Sequence, residues 1–432
     1  MNDDLLIVDE QFRIANYLSC AQLYLKDNPL LKRKLTINDI KSKLVGHWGS
    51  APGQNFIYAH LNRIITKYDL DMVYVSGPGH SGQALISNSY IEGTYSEYYP
   101  KITNDESGLI KLCKQFSFPG GVSSHVSPET PGSINEGGEL GYSLSHAYGA
   151  ALNNPKIIVA CVIGDGEAET GPLAASWNIN RLINPVTDGV VLPILHLNGY
   201  KIANPTIFSR FTDEELKNYF TALGYQPFIF DAFNKDIMEC HRQMANILDT
   251  IIGKIKVIKS LAKTDNRFKF KWPMIIMKTP KGWTGVKSYD GHSIEGSFRS
   301  HQIPFSIKND NDLEILERWL KSYKVDELFN QDGSIIDTIV SKMPKGHKRM
   351  SDSLVTNQGL KHDLLMPDIT NYKINIMQHG SIYNSDMYSL GSYVKEIVKM
   401  NPDFMIFGPD EALSNRFNEV FKVTNRRWNL TE

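Results

Sequence analysis

The feature that most constrains this chain is a series of short, continuous apolar runs separated by helix-like stretches. KIIVACVI (156–163), VVLPILHL (190–197), FIF (228–230) and MIIMKT (274–279) lack polar alternation. Runs of this kind, rich in β-branched residues, are expected of strands buried on both faces of a parallel sheet. Between and around them, 142–154, 169–182, 212–223 and 236–263 read as helices, the third opening with a capping signal at Thr212. Strands alternating with helices predict an α/β domain with a mainly parallel sheet and helices on both faces.

Composition removes other classes. Hydrophobic residues make up 41% and charged residues 22%, which is ordinary globular usage and excludes a disordered chain, a collagen or a coiled coil. Forty-six basic against 47 acidic residues leave a net charge of -1, so no field of one sign points to nucleic acid or anionic lipid. Cys20, Cys113, Cys161 and Cys240 form no CxxC pair. The N-terminus MNDDLLIVDE is acidic where a signal peptide is basic, and no apolar run nears the roughly 18 residues of a membrane span. A cytoplasmic protein without nucleic-acid or membrane partners is expected.

The stretch from Gly46 to Gly138 is dense in glycine, proline, serine and aromatics: GHWGSAPGQ (46–54), SGPGHSGQ (76–83), FPGGVSSHVSPETPGS (118–133) and NEGGELG (135–141). Loops of this type often carry function. Before it, Thr36 to Asp39 reads as the cap of a helix reaching Leu44. The polar, irregular stretch 326–371 reads as an interdomain linker, and helix 389–400 with strand 404–408 reads as the start of a second α/β domain. The expected division is 1–325, 326–371 and 372–432.

The sharpest chemical element is Gly164-Asp165-Gly166, after one predicted strand and before a predicted helix. Glycines there let the backbone approach a phosphate, and Asp165 offers a hard oxygen to Mg²⁺. At the end of the next strand comes Asn198, which can supply a neutral oxygen from beside Asp165, because parallel strands end at one edge. The same residues also make an ordinary strand-to-helix turn, and Asn198 an ordinary turn residue. Glu167 and Glu169 complement the dipole of the following helix or act as catalytic carboxylates.

GDG with a downstream Asn resembles the thiamine diphosphate and Mg²⁺ motif of transketolase-like enzymes, although the gap here is longer and ends Asn-Gly rather than Asn-Asn. EGGELGYSLSHAYGA (136–150) and GDGEAETGPLAASWN (164–178) resemble the signature segments of the phosphoketolases, which act on xylulose 5-phosphate and fructose 6-phosphate. GHWGSAPGQNFIYAHLNR, YVSGPGH, KQFSFPGGVSSH, LPILHLNGYKIANPT, WPMIIMKTPKGWTG, GSFRSHQIP and FGPDEALSNRF resemble the same family. The resemblance covers essentially the whole chain but the front half of such an enzyme. It implies a thiamine-diphosphate-binding fold: a diphosphate-binding domain at 1–325 and the incomplete start of a pyrimidine-binding domain at 372–432.

By that resemblance, thiamine diphosphate and Mg²⁺ are the cofactors, with Asp165, Asn198 and the backbone carbonyl of Tyr200 as metal ligands. Gly138 binds the aminopyrimidine through its backbone, and Gly164, Gly166 and Glu167 belong to the cofactor-binding segment. His47, His80, His125 and His301 match active-site positions, and imidazoles suit proton transfer near neutral pH. Lys281 matches a lysine near cofactor and substrate. Ser414 and Arg416 match positions that hold a sugar phosphate or inorganic phosphate. His60, His146 and His196 read as structural.

Three functions share these residues. The first is a phosphoketolase front half that cleaves xylulose 5-phosphate and/or fructose 6-phosphate with phosphate, as a homo-oligomer or with a chain carrying the missing C-terminal domains. The second is a non-catalytic remnant that at most binds Mg-diphosphate. The third, a transketolase-like enzyme on another ketose, is disfavoured by the long signatures.

Overall fold

A computed structural model of the protein describes residues 3–265, 269–357, 359 and 363–424. The chain divides into two compact units, Met1–Gly359 and Leu360–Glu432. The elements of the first unit that place the site are, in chain order, α1 (Asp3–Tyr24), α2 (Ala51–Tyr68), β1 (Asp71–Ser76), α3 (Gly82–Ile91), α4 (Ser143–Ala151), β2 (Ile157–Gly164), β3 (Val190–Leu197), α5 (Asp213–Ala222), β4 (Tyr225–Asp231), α6 (Ile237–Thr264), β5 (Trp272–Lys278) and α7 (Asp310–Lys321).

The five strands form one sheet in the order β1-β2-β3-β5-β4, and every pairing is parallel. Every residue of β2 and β3 is buried, which explains why their sequences show no alternation. Each buried Val, Ile or Leu side chain contributes about 1.5–3 kcal/mol. Helix α4 packs on β2 and β3, while α2 and α6 pack on one another and on other strands. Register sets Gly164 opposite His196 and Leu197 opposite Lys278, so the segments that follow β2, β3 and β5 leave from one edge.

Local chemistry explains the element ends. The Thr212 side chain accepts from the Glu215 amide while the Glu215 carboxylate accepts from the Thr212 amide, a reciprocal cap that starts α5. Asp236 caps α6 by accepting from the Glu239 amide at 2.9 Å. Helix α2 has Pro52 in its first turn and stops at Asp69, whose φ is +53°.

The structure departs from the sequence reading at several places. Thr36 caps only a single 3₁₀ turn, Ile37–Asp39, because Ile40 is already extended. The stretch 169–182 is a short helix, Gly171–Ser176, followed by a 3₁₀ segment, Trp177–Leu182, not one helix. The glycine-rich region contains α2, β1 and α3 as well as loops.

Residues 326–357, inside the stretch read as a linker, belong to the first unit. Arg349 makes a two-pronged contact with Glu97 at 2.8 Å on each nitrogen and reaches Asp352 at 3.1 Å. The Ser351 amide donates to the buried Glu92 carboxylate at 3.0 Å, and the Ser351 hydroxyl donates to the same oxygen. Asn357 accepts from the Gly132 amide at 3.0 Å.

The second unit contains α8 (Asp386–Met400), which buries Gly391 and Ile397. Asn401 ends it and exchanges hydrogen bonds of 2.9 Å with the backbone of Leu365. Residues 404–408, expected as a strand, are irregular, and no described residue of this unit forms a strand to pair with them. No helix among the described residues is long and apolar enough to cross a membrane.

Candidate functional site

Asp165 follows β2 directly, and its backbone amide donates to the His196 carbonyl at 3.3 Å. Its carboxylate is buried. Oδ2 accepts from the Gly199 amide at 2.7 Å and the Thr206 hydroxyl at 3.2 Å, and Oδ1 from the Gly166 amide at 3.0 Å. Burial pushes this carboxyl up to about 6, against the pull of the Lys281 charge and those donors. Asn198 and Tyr200 flank Gly199, whose amide bonds Asp165.

A cation sits on this oxygen set. The ammonium of Lys281, on the loop after β5, donates to the Tyr200 carbonyl at 2.8 Å and to Asn198 Oδ1 at 3.3 Å. Lys281 is 2% exposed, and burial lowers its ammonium to about 8, with Asp165 opposing. An amide oxygen and a backbone carbonyl on one positive charge, with a buried carboxylate that acts on the same charge, are the donor types that Mg²⁺ takes. The residues therefore fit a divalent ion.

Beside that set the structure brings together His47, His80, His125 and His301. The His47 ring lies 5.0 Å from His80, 5.5 Å from His125 and 5.3 Å from His301, and His80 lies 4.9 Å from His301. They arrive on separate segments. Trp48, fully buried, donates to the Gly282 carbonyl at 3.1 Å and meets Trp319 of α7 edge-on at 4.8 Å. That anchor fixes the loops carrying His47 and Lys281 to each other. The His47 Nδ1 lies 3.1 Å from the His80 carbonyl. A carbonyl can only accept, so Nδ1 bears the proton and Nε2 keeps its lone pair.

Burial is the main cause that lowers the basicity of these rings: His47 to about 4, helped by His125, and His301 to about 3, helped by Lys281. His80 goes well below its usual range through burial and then through His47. These three imidazoles are neutral at pH 7.

Other candidate residues fall differently. Glu167 is buried, but Ser143 donates to it at 2.6 Å and Gly141 at 3.3 Å, so its carboxylate is engaged inside the fold. Burial raises its carboxyl. Glu169 pairs with Lys201 and accepts from the Ile207 amide, which ties down the 199–207 loop. The Gly138 amide donates to its neighbour Glu136 at 2.8 Å. Gly164 ends β2, and Gly166 opens the turn after it. Ser414 and Arg416 lie exposed in the second unit, where the Arg416 guanidinium stands 5.3 Å from the Tyr388 ring centre. His196 bonds the Thr279 hydroxyl at 2.8 Å, and His60 bonds His241 at 3.0 Å in the core.

The sequence reading missed the residues that hold the histidines. Ser50 Oγ lies 3.2 Å from His80 Nε2 and 2.7 Å from Ser81 Oγ, and Gln83 donates to the His47 carbonyl. Ser81 and Gln83 follow His80 in SGPGHSGQ, so that motif carried the signal.

The first unit corresponds to a family model described as the XFP N-terminal domain, which matches residues 1–361. A second, described as D-xylulose 5-phosphate/D-fructose 6-phosphate phosphoketolase, matches residues 388–432. A probable phosphoketolase of Clostridium acetobutylicum is 54% identical over 428 residues, covering 98% of this chain and 54% of that protein. The xylulose-5-phosphate phosphoketolase of Lactiplantibacillus pentosus is 52% identical over 427 residues, with coverage of 98% and 54%. The chain thus spans about half the length of the curated relatives it matches. Among solved structures, transketolase from Campylobacter jejuni overlays with a TM-score of 0.60 at 17% identity, over 96% of this chain and 58% of that one. That likeness shows a transketolase-like fold.

Proposed function

Because this chain belongs to the xylulose 5-phosphate/fructose 6-phosphate phosphoketolase family, we propose that its first unit is the diphosphate-binding part of an enzyme dependent on thiamine diphosphate and Mg²⁺. The reaction is cleavage of xylulose 5-phosphate and/or fructose 6-phosphate with inorganic phosphate, giving acetyl phosphate and an aldose phosphate. The observation that carries this reading is the Lys281 cation on the oxygens of Asn198 and Tyr200, next to four gathered histidines.

When bound, thiamine diphosphate supplies a carbon nucleophile and an electron sink. Asp165, Asn198 and the Tyr200 carbonyl would hold Mg²⁺. His47 takes protons at Nε2, because Nδ1 is committed to the His80 carbonyl. His80 and His301 are neutral at pH 7 and offer uncharged ring nitrogens for hydrogen bonds beside it. The Lys281 ammonium can stabilise an oxyanion beside them. Gly138 would meet the aminopyrimidine with its backbone, and Ser414 and Arg416 would hold a phosphate group.

Association with another copy, or with a chain carrying the rest of the relatives' sequence, is part of the same proposal. It is supported by apolar side chains exposed on the first unit, among them Phe118 (56%), Leu140 (47%), Ile202 (67%) and Ile207 (56%).

Calorimetric titration with thiamine diphosphate tests the reading. Binding is expected to require Mg²⁺ and to be lost in Asp165→Asn. Binding that ignores both Mg²⁺ and that substitution would overturn it.

A further inference from the structure

Lys281 is the unusual member of this site. Its ammonium is buried, and both of its hydrogen bonds go to oxygens assigned above to a metal. The loop that carries it is tightly held: the Gly282 amide donates to the Gly49 carbonyl at 2.7 Å, and the Gly296 amide to the Lys281 carbonyl at 2.8 Å. The backbone at Lys281 is thus tied on both sides. The far end of the side chain passes Gly49, where an added Cβ would stand 3.0 Å from Cε and 3.1 Å from the Cα of His301. The stem thus runs along the boundary between the oxygen set and the histidine pocket.

Electrostatics explains the position. Asp165 has its own donors and Asn198 Oδ1 accepts from the Tyr200 amide at 3.2 Å, but the Tyr200 carbonyl and the summed negative charge of this oxygen set still call for a cation. Lys281 answers that need. A divalent ion bound to the same oxygens, at roughly 2.1 Å, takes the space the ammonium uses. Two cations on one buried oxygen set repel strongly, because little water screens them.

We propose that Lys281 is an internal stand-in for the metal: its ammonium holds the Asn198 and Tyr200 oxygens in place before loading, and a divalent ion displaces it toward His301 and His47. Metal loading then delivers a positive charge into the histidine pocket, where anionic phosphate groups of a substrate would meet it. This proposal rests on the Mg²⁺ site of the preceding section.

The test is Mn²⁺ binding, read from the paramagnetic resonance of the free ion with inorganic pyrophosphate present. Parent protein, Lys281→Met and Asp165→Asn are compared. Loss of the competing ammonium should tighten Mn²⁺ binding in Lys281→Met by on the order of tenfold, while Asp165→Asn should lose binding. Equal or weaker binding in Lys281→Met, with Asp165→Asn still defective, overturns the stand-in and leaves the metal site intact. Normal binding in Asp165→Asn overturns both.

A second measurement needs no variant and covers the case in which Lys281→Met fails to fold. Acetylation of Lys281 by acetic anhydride, mapped by mass spectrometry, should rise severalfold when Mn²⁺ and pyrophosphate are added. Unchanged reactivity overturns the proposal.

Discussion

Gly79 passes Gly137 so closely that a Cβ on the first would stand 2.1 Å from the Cα of the second. The SGPGH and NEGG loops cross at this point, one delivering His80 and the other presenting Gly138. Neither loop can carry a side chain there, so the glycines are a steric requirement of the crossing.

Gly79→Ala should therefore destabilise the first unit by about 1–3 kcal/mol, the usual range for overpacking. It should also weaken thiamine diphosphate binding, because His80 and Gly138 both move. Urea unfolding and calorimetry check the two effects. A variant as stable and as tight-binding as the parent would show that the loops separate without consequence.

The sheet and its strand ends were legible because buried parallel strands leave a continuous apolar run. The place of Asp165 at the end of β2 was legible because Gly164-Asp165-Gly166 closes such a run. Helices α2 and α3 were hidden because they lie among loop-like glycines, and Gly53 of α2 is there for packing: a Cβ would stand 2.3 Å from the His196 ring. The role of 346–357 was hidden because Arg349, Ser351 and Asn357 find their partners more than 200 residues earlier. The resemblance offered a lysine near cofactor and substrate at Lys281, but its contact with the Tyr200 carbonyl was out of reach, since nothing local links residues 81 apart.

Stability should fall as the solution is acidified from neutral, the five depressed imidazoles outweighing the raised carboxyls of Asp165 and Glu167, which act in the opposite sense. The imidazoles of His196, His301 and His60 are buried and those of His47 and His80 half-buried, and all five take up protons less readily than in the unfolded chain. Below about pH 6.5 the unfolded chain binds protons that the folded chain refuses, at about 1.4 kcal/mol per pH unit for each ring at most. Their contribution is complete above pH about 6.5 and declines toward the folded values, which reach about 4 for His47 and about 3 for His196 and His301. Urea midpoints at pH 7.5, 6 and 5 measure this. A midpoint that rises on acidification would contradict the burial account.

Ser351→Ala should cost about 1–3 kcal/mol, because the buried Glu92 carboxylate loses the Ser351 hydroxyl while it stays away from water. Urea unfolding of the variant provides the number. Stability equal to the parent would mean that the 346–357 segment is not coupled to the core.

His47→Asn removes the free Nε2 lone pair and keeps a side chain able to donate to the His80 carbonyl. In the assembled enzyme, acetyl phosphate formation from xylulose 5-phosphate should fall about 10²–10⁴-fold with folding unchanged. A change in KM alone, with kcat intact, would move His47 from proton transfer to binding.

The most direct measurement is anomalous diffraction from crystals grown with Mn²⁺ and thiamine diphosphate. The account predicts one strong manganese peak at about 2.1–2.3 Å from an Asp165 oxygen, Asn198 Oδ1 and the Tyr200 carbonyl, with Lys281 turned toward His301. A cofactor bound with its metal elsewhere, or Lys281 still on the Tyr200 oxygen beside an empty metal position, would contradict it.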